Sequence, residues 1–310
     1  MSDADGTRRG AEDVVSAGAG AICRTALYMP ASSARALAKG PTLVADAIIV
    51  DLEDAVAPAA KAEARDAAVR ALRDQDYGSR IRALRVNGAA TEWFADDVAA
   101  LSDAAPEVVV LPKAESATAI RDLAETLAAR AHTRDLRIWA MLETPLAVLR
   151  ADAIAEVARD GVPLEALVVG SNDLASSGGL AVECARTHLH PWLMIVVAAA
   201  KAHGVRVLDG VFNDIADTAG FERECAEGVA MGMEGKTLIH PSQIDAANRL
   251  WSPDARAIEA AQAIVAAFDD DEAAGQGVIR VDGRMVERLH LEVARRTLAL
   301  AARLDGQKIS

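Results

Sequence analysis

The chain is short of aromatic side chains, of cysteines and of long apolar runs. Phe, Tyr and Trp make up only 3% of its 310 residues, too few for the stacking platforms that hold single-stranded nucleic acid. Its three cysteines, Cys23, Cys184 and Cys225, are odd in number and lack metal-ligand spacing. This argues against a disulfide framework or a zinc site and for a reduced, cytoplasmic protein. No apolar stretch approaches membrane-spanning length free of charge. Basic residues are outnumbered 33 to 46, a net charge of −13. That balance disfavours non-specific nucleic-acid binding but leaves room for a local basic patch with an anionic small ligand. Residues 1–20 have no apolar core of the signal-peptide kind, and their acidic residues argue against a transit peptide. They read as a mobile polar arm.

Apolar residues are abundant, at 52%, and the many alanines favour helices. Eight short β-type runs are expected near residues 25–28, 47–51, 81–86, 108–111, 137–142, 166–169, 206–208 and 236–239. Several are nearly all apolar, as strands covered on both faces must be. Helical patterns fall between them at 32–40, 59–73, 92–103, 116–131, 147–158, 187–203, 214–228 and 242–249. Prolines, Pro191 among them, fall mostly at the junctions. Strand–helix alternation repeated eight times predicts an α/β fold, the TIM (β/α)8 barrel, with a doubly wound open sheet as runner-up. The expected barrel covers 21–252. A C-terminal helical lid follows at 253–310, with a β-type piece at 278–281, a turn at Asp282-Gly283 and a helix over 285–304.

Several runs end in charge. Ala47-Ile-Ile-Val-Asp-Leu-Glu-Asp-Ala55 closes on Asp51, Glu53 and Asp54, and later runs lead to Lys113, Glu143 and Asp173. Barrel enzymes place their chemistry at the C-terminal ends of the strands. Glu143 and Asp173, on adjacent strands, would suit Mg²⁺, which uses few protein ligands and keeps waters. The alternative for each is a helix cap. Arg85 lies inside an apolar strand and needs a partner. That partner is either a protein carboxylate such as Glu53 or Asp54, or the carboxylate of a substrate gripped bidentately. Lys113 is either a Schiff-base lysine or an electrostatic partner of the carboxylates, which would keep its amine protonated. His240, before Pro241, is an acid/base or ligand-positioning group, or a loop histidine with a structural hydrogen bond.

The segments RTALYMPASSARALAKG, ADAIIVDLEDAV, LRVNG, VVVLPKAES, MLETPLAV, VVGSNDLA, GMEGKTLIHPSQI and VDGRMVERLHLEVARR stand in register across about residues 22 to 305. In this order they resemble the citrate lyase β-subunit and malyl-CoA lyase-like family of the HpcH/HpaI aldolase–citrate lyase superfamily. The resemblance implies a TIM barrel with a C-terminal lid, assembled as a homotrimer or homohexamer. It implies Mg²⁺ on Glu143 and Asp173, and a substrate carboxylate on Arg85. Glu53 and Asp54 would support the metal waters and Arg85. Arg24 and Lys39 would meet coenzyme A phosphates, and His240 would lie near the thioester.

Two segments depart from the family's pattern. A Met-Ile-Asp-x-Pro stretch of the malyl-CoA lyase branch stands here as Met285-Val-Glu-Arg-Leu289, so Glu287 replaces an aspartate and the proline is gone. The added methylene changes the reach by about 1.5 Å, which matters where proton transfer needs hydrogen-bond distance. Ser171-Asn172 precede Asp173 where the branch often has an acidic residue. The reaction implied is reversible carbon–carbon cleavage of a carboxylated 3-hydroxyacyl-CoA into an acyl-CoA and a 2-oxo acid, with Glu287 as acid/base. The alternatives are a metal-dependent aldolase without coenzyme A, a thioesterase, and a non-catalytic ligand-binding subunit. Neither nucleic acid nor membrane is an expected partner.

Overall fold

A computed structural model describes residues 21–181, 185–270, 276–281 and 283–307. The N-terminal arm at 1–20, Cys184 and Asp282 lie outside the described residues. Eight parallel strands close into one barrel in chain order: β1 (Thr25–Pro30), β2 (Ala47–Asp51), β3 (Ile81–Arg85), β4 (Val108–Leu111), β5 (Arg137–Leu142), β6 (Leu164–Val169), β7 (Arg206–Asp209) and β8 (Gly235–Leu238). β1 pairs with both β2 and β8, which completes the ring and excludes the open sheet. Side chains alternate between the two faces. Ile49, Ala83, Val110, Met141 and Val168 fill the interior, while Ile48 and Val50 are equally buried on the outer face. Both faces are covered, so the strands read as continuous apolar runs. Trp139 is fully buried in the interior cluster, and its indole donates to Glu165 Oε2 at 2.8 Å.

The first seven helices are α1 (Ala34–Lys39), α2 (Lys61–Asp74), α3 (Phe94–Ala104), α4 (Ala117–Ala128), α5 (Pro145–Leu149), α6 (Ala151–Glu156) and α7 (Ser171–Ser177). They are followed by α8 (Ala185–Ala202), α9 (Thr218–Ala230) and α10 (Ile244–Leu250). Ser33, Ser116, Thr144 and Asp217 cap α1, α4, α5 and α9 with their side chains, satisfying amides that have no partner within the helix. Two expectations need correction, and one helix was not anticipated. The single helix expected over 147–158 is split at Arg150 into α5 and α6. Pro191 lies inside α8 and not at a junction. The short helix α7, which carries Asp173, has too few residues to give a periodic signal.

The chain divides into two compact units at Ala247/Asn248; the expected boundary was 252/253, and α10 straddles the division. The second unit contains α11 (Ala255–Asp269), a hairpin of β9 (Val278–Val281) and β10 (Arg284–Glu287), and α12 (Arg288–Gln307). Phe268, Val286 and Leu291 form its small core, with Ile264 and Ile279 packed against them. The helix expected from 285 starts at 288, because residues 284–287 pair as β10. Among the described residues, no helix is long and apolar enough to cross a membrane. Cys23 and Cys225 are free and buried, and burial pushes both thiols up to about 12.

Candidate active site

The carboxylates and cations converge at the C-terminal ends of β2 to β6. Asp51 and Arg85 are register partners across β2 and β3. Asp51 accepts from Arg85 Nε at 2.6 Å and Nη2 at 2.7 Å, a bidentate pair of the strong kind. It also accepts the backbone N–H of Glu53 at 2.9 Å and of Ala55 at 3.3 Å, which fixes the turn that presents Glu53. Arg85 Nη1 stands 2.9 Å from Glu53 Oε2 and 3.6 Å from the exposed Asp54. The guanidinium lies 4.7 Å from the centre of the Tyr28 ring. Burial opposes its charge, but Asp51, Tyr28 and Glu53 outweigh that and keep it protonated. The protein-carboxylate partner for Arg85 is thus present, and Asp51, more than Glu53 or Asp54, supplies it.

Lys61 was missed from the sequence, where it looks like a surface residue opening an alanine-rich helix. It is buried and donates to the carbonyls of Leu52 and Glu53, each at 2.7 Å, and to Asn87 Oδ1 at 2.6 Å. Asn87 in turn donates through its backbone and side chain to the buried Asp97. These bonds tie the Glu53 turn to the loop after β3. Burial lowers the Lys61 amine against the pull of nearby carboxylates.

Glu143 follows β5 and exposes no surface. Its Oε1 accepts the Lys113 backbone N–H at 2.5 Å, and its Oε2 is buried without a hydrogen-bond partner. Gly170 opens the turn from β6 into α7, and a Cβ there would come within 2.4 Å of the Glu143 Cβ. Only glycine lets that turn pass so close, and the turn brings half-buried Asp173 towards Glu143. Burial first, then the charge of Glu53, raises Glu143 from 4.5 to about 8; Asp173 adds to the rise and Lys113 opposes it. Neither acid is a helix cap: Thr144 caps α5, and the N-cap of α7 is Gly170. Lys113 Nζ sits 2.5 Å from Glu53 Oε1, which makes it an electrostatic partner and keeps its amine charged, because Glu53 and Glu143 outweigh its burial.

The other sequence-derived residues are more scattered. Arg24 precedes β1 and binds Asp46 just before β2, Nε at 2.9 Å and Nη2 at 2.8 Å. Both stand at the N-terminal ends of the strands, opposite the carboxylates, so the assignment of Arg24 to the site is corrected. Lys39 is exposed at the end of α1. Arg35, which the sequence reading passed over, is exposed one turn closer to the β1 end. His240 caps the turn after β8: its Nδ1 accepts the Ser242 backbone N–H at 3.2 Å within a capping box. Glu287 is exposed at the end of β10 in the second unit, its N–H donating to His290 Nδ1 at 2.9 Å.

The donor set fits a hard divalent cation. Glu143 presents an orphaned buried oxygen, and Asp173 is close enough to add to the rise in its pKa. Among the described residues no group of three or more His, Cys, Asp or Glu is arranged to hold a metal. Two carboxylates leave the remaining positions to water and ligand oxygens, the habit of Mg²⁺.

The model of the HpcH/HpaI aldolase/citrate lyase family matches residues 24–241. A (3S)-malyl-CoA thioesterase of Cereibacter sphaeroides is 45% identical over 278 residues, 90% of this chain and 94% of that protein. The mitochondrial citramalyl-CoA lyase of Homo sapiens is 32% identical, covering 90% of this chain and 85% of its own. The CitE protein of Mycobacterium tuberculosis, solved with magnesium, acetoacetate and coenzyme A, superposes with a TM-score of 0.73 at 29% identity, over 91% of this chain and 98% of that one. A citrate lyase β subunit of M. tuberculosis solved with oxaloacetate and magnesium, and CitE solved with magnesium and pyruvate, are similar at 32% and 30% identity. With its closed barrel and its match over most of its length, the chain belongs to the HpcH/HpaI aldolase/citrate lyase family.

Proposed function

We propose that this enzyme is Mg²⁺-dependent and hydrolyses the coenzyme A thioester of a short hydroxy-dicarboxylic acid of the malyl class. The observation that carries it is the 45% identity to a (3S)-malyl-CoA thioesterase over nine-tenths of both chains, against 32% and 30% for two lyases. Glu143 and Asp173 would hold the metal. The ion would polarise substrate oxygens as a Lewis acid. Arg85 is committed to Asp51 through Nε and Nη2 and faces Glu53 and Asp54 with Nη1, and a substrate carboxylate would share that last edge of the guanidinium. Arg35 and Lys39 suit the phosphates of coenzyme A. The Nδ1 of His240 is taken by Ser242, which leaves Nε2 for the thioester. Glu287, in trans or in cis, would serve as the acid/base. Hydrolysis adds water to the thioester carbon, breaks the C–S bond, and releases the free acid and the protonated thiol.

The second reading is carbon–carbon cleavage, favoured by the citramalyl-CoA lyase relative. There the hydroxyl loses its proton, the bond to the thioester α-carbon breaks, and that carbon is reprotonated. Malyl-CoA would then give acetyl-CoA and glyoxylate. Incubation of malyl-CoA with Mg²⁺, with free thiol and 2-oxo acid measured separately, decides between them. Thiol without 2-oxo acid is expected. A 2-oxo acid with the thioester intact establishes the lyase, and neither product defeats both readings. A cytoplasmic homotrimer or homohexamer completes the proposal, and light scattering measures its size.

A further inference from the structure

The chain leaves β4 at Leu111, whose register partner in β5 is Ala140. It rejoins when the Ala114 N–H donates to the Met141 carbonyl at 3.1 Å. Pro112 and Lys113 form the excursion between, an interruption of the ladder of the sort that re-aims groups beside active sites. Pro112 loses nothing by leaving, because proline has no N–H to pair. Lys113 makes the turn with φ at 51°, in the left-handed region that residues with a Cβ enter only at a cost. Glycine would adopt that turn freely, yet a lysine stands there. Its N–H, freed from the ladder, donates to Glu143 Oε1 at 2.5 Å, and its ammonium reaches Glu53 Oε1 at 2.5 Å. One residue thus holds carboxylates that follow two different strands.

We propose that Lys113 is a positioning residue with two separable actions: its main chain orients Glu143, and its side chain orients Glu53. The left-handed turn at 113 makes both possible. The proposal rests on the metal reading above, in which Glu143 is a ligand. By occupying Oε1, the Lys113 amide leaves Oε2, the buried oxygen without a partner, as the atom that meets the cation. The ammonium meanwhile shares Glu53 with Arg85, which keeps that carboxylate beside the guanidinium. Backbone strain of this sort persists where the surroundings over-determine it. Here the ladder bond of Ala114 on one side and β4 on the other fix the turn.

Mn²⁺ binding followed by electron paramagnetic resonance tests the proposal, with wild type, Lys113→Gly, Lys113→Met, Lys113→Val and Glu143→Ala compared at one pH and thermal melts as the folding control. Lys113→Gly and Lys113→Met keep the amide and should bind Mn²⁺ within about twofold of wild type. Their kcat/KM should fall about ten- to a hundredfold, as when a group orienting a site is lost. Lys113→Val, β-branched and ill-suited to positive φ, should bind Mn²⁺ about tenfold more weakly while still folded. The proposal is overturned if the glycine and methionine variants lose Mn²⁺ as completely as Glu143→Ala, because the side chain would then be what holds Glu143. It is also overturned if folded Lys113→Val binds as tightly as wild type. Should Lys113→Val not fold, the glycine and methionine variants decide alone. Wild type that binds no Mn²⁺ refutes the metal reading instead.

Discussion

Glu143 and Asp209 stand at the ends of strands in the same barrel, and neither exposes any surface. Asp209 faces outward, where Lys236 of β8 reaches it at 3.1 Å and Arg186 of α8 grips both its oxygens, at 2.7 and 3.1 Å. Glu224 of α9 accepts from the same Lys236 at 2.7 Å. Burial pushes the Asp209 carboxyl up, but the two cations overcome it and hold the group below its ordinary value. Glu143 faces the mouth with one oxygen bonded to an amide and the other to nothing, and burial carries it to about 8. A buried acid with its cations in place is part of the framework. A buried acid without them is waiting for a charge from outside the chain.

Glu143→Ala attacks the second case and should have the largest consequence, a loss of about a thousandfold or more in kcat/KM with little loss of stability. Thiol release from malyl-CoA and a urea titration of the same preparation measure both. Lys236→Met attacks the first case. It leaves Asp209 one of its two cations, Arg186, and deprives Glu224 of its Lys236 partner. The change should cost about 3–5 kcal/mol of stability, read in urea unfolding, and adding Asp209→Asn should recover part of that. If Lys236→Met instead abolishes activity in a fully stable protein, the division between framework and site fails.

A smaller effect is expected from pH. In protein stripped of metal, folded Glu143 binds a proton that the unfolded chain has already lost between pH 4.5 and about 8. Native protein therefore carries more protons than unfolded protein, and the stability due to this group, full below 4.5, drains away as pH rises through that window. Thermal melts across it should slope downward for wild type and less so for Glu143→Gln. Saturating Mg²⁺ should also reduce the slope. A Glu143→Gln profile parallel to wild type would place the cause elsewhere. The smallest effect separates the two rims of the barrel: Lys39→Ala should raise KM for the thioester a few-fold, while Arg24→Ala should leave it within twofold, in steady-state kinetics.

The barrel was legible because each strand is an apolar run bounded by turn residues, and the charged residues after those runs were legible because function collects there. What the sequence hid depends on register and backbone angle. Asp51 was visible as an acid, but its pairing with Arg85 follows from β2 and β3 lying in register. Lys113 carries no propensity signal for positive φ, and Lys61 looks like any helix-surface lysine until its three acceptors surround it. Residues 284–287 look helical alone and become a strand only by pairing with β9. The misplacement of Arg24 has the same origin: a cation beside β1 can lie at either end, and Asp46 settles which.

Trp139 is buried with the side chains that fill the barrel interior and is tethered to Glu165, so the barrel is a packed core and not a pore. Nothing passes through it from one rim to the other. A ligand held by the carboxylates at the strand ends would therefore enter and leave on that one side.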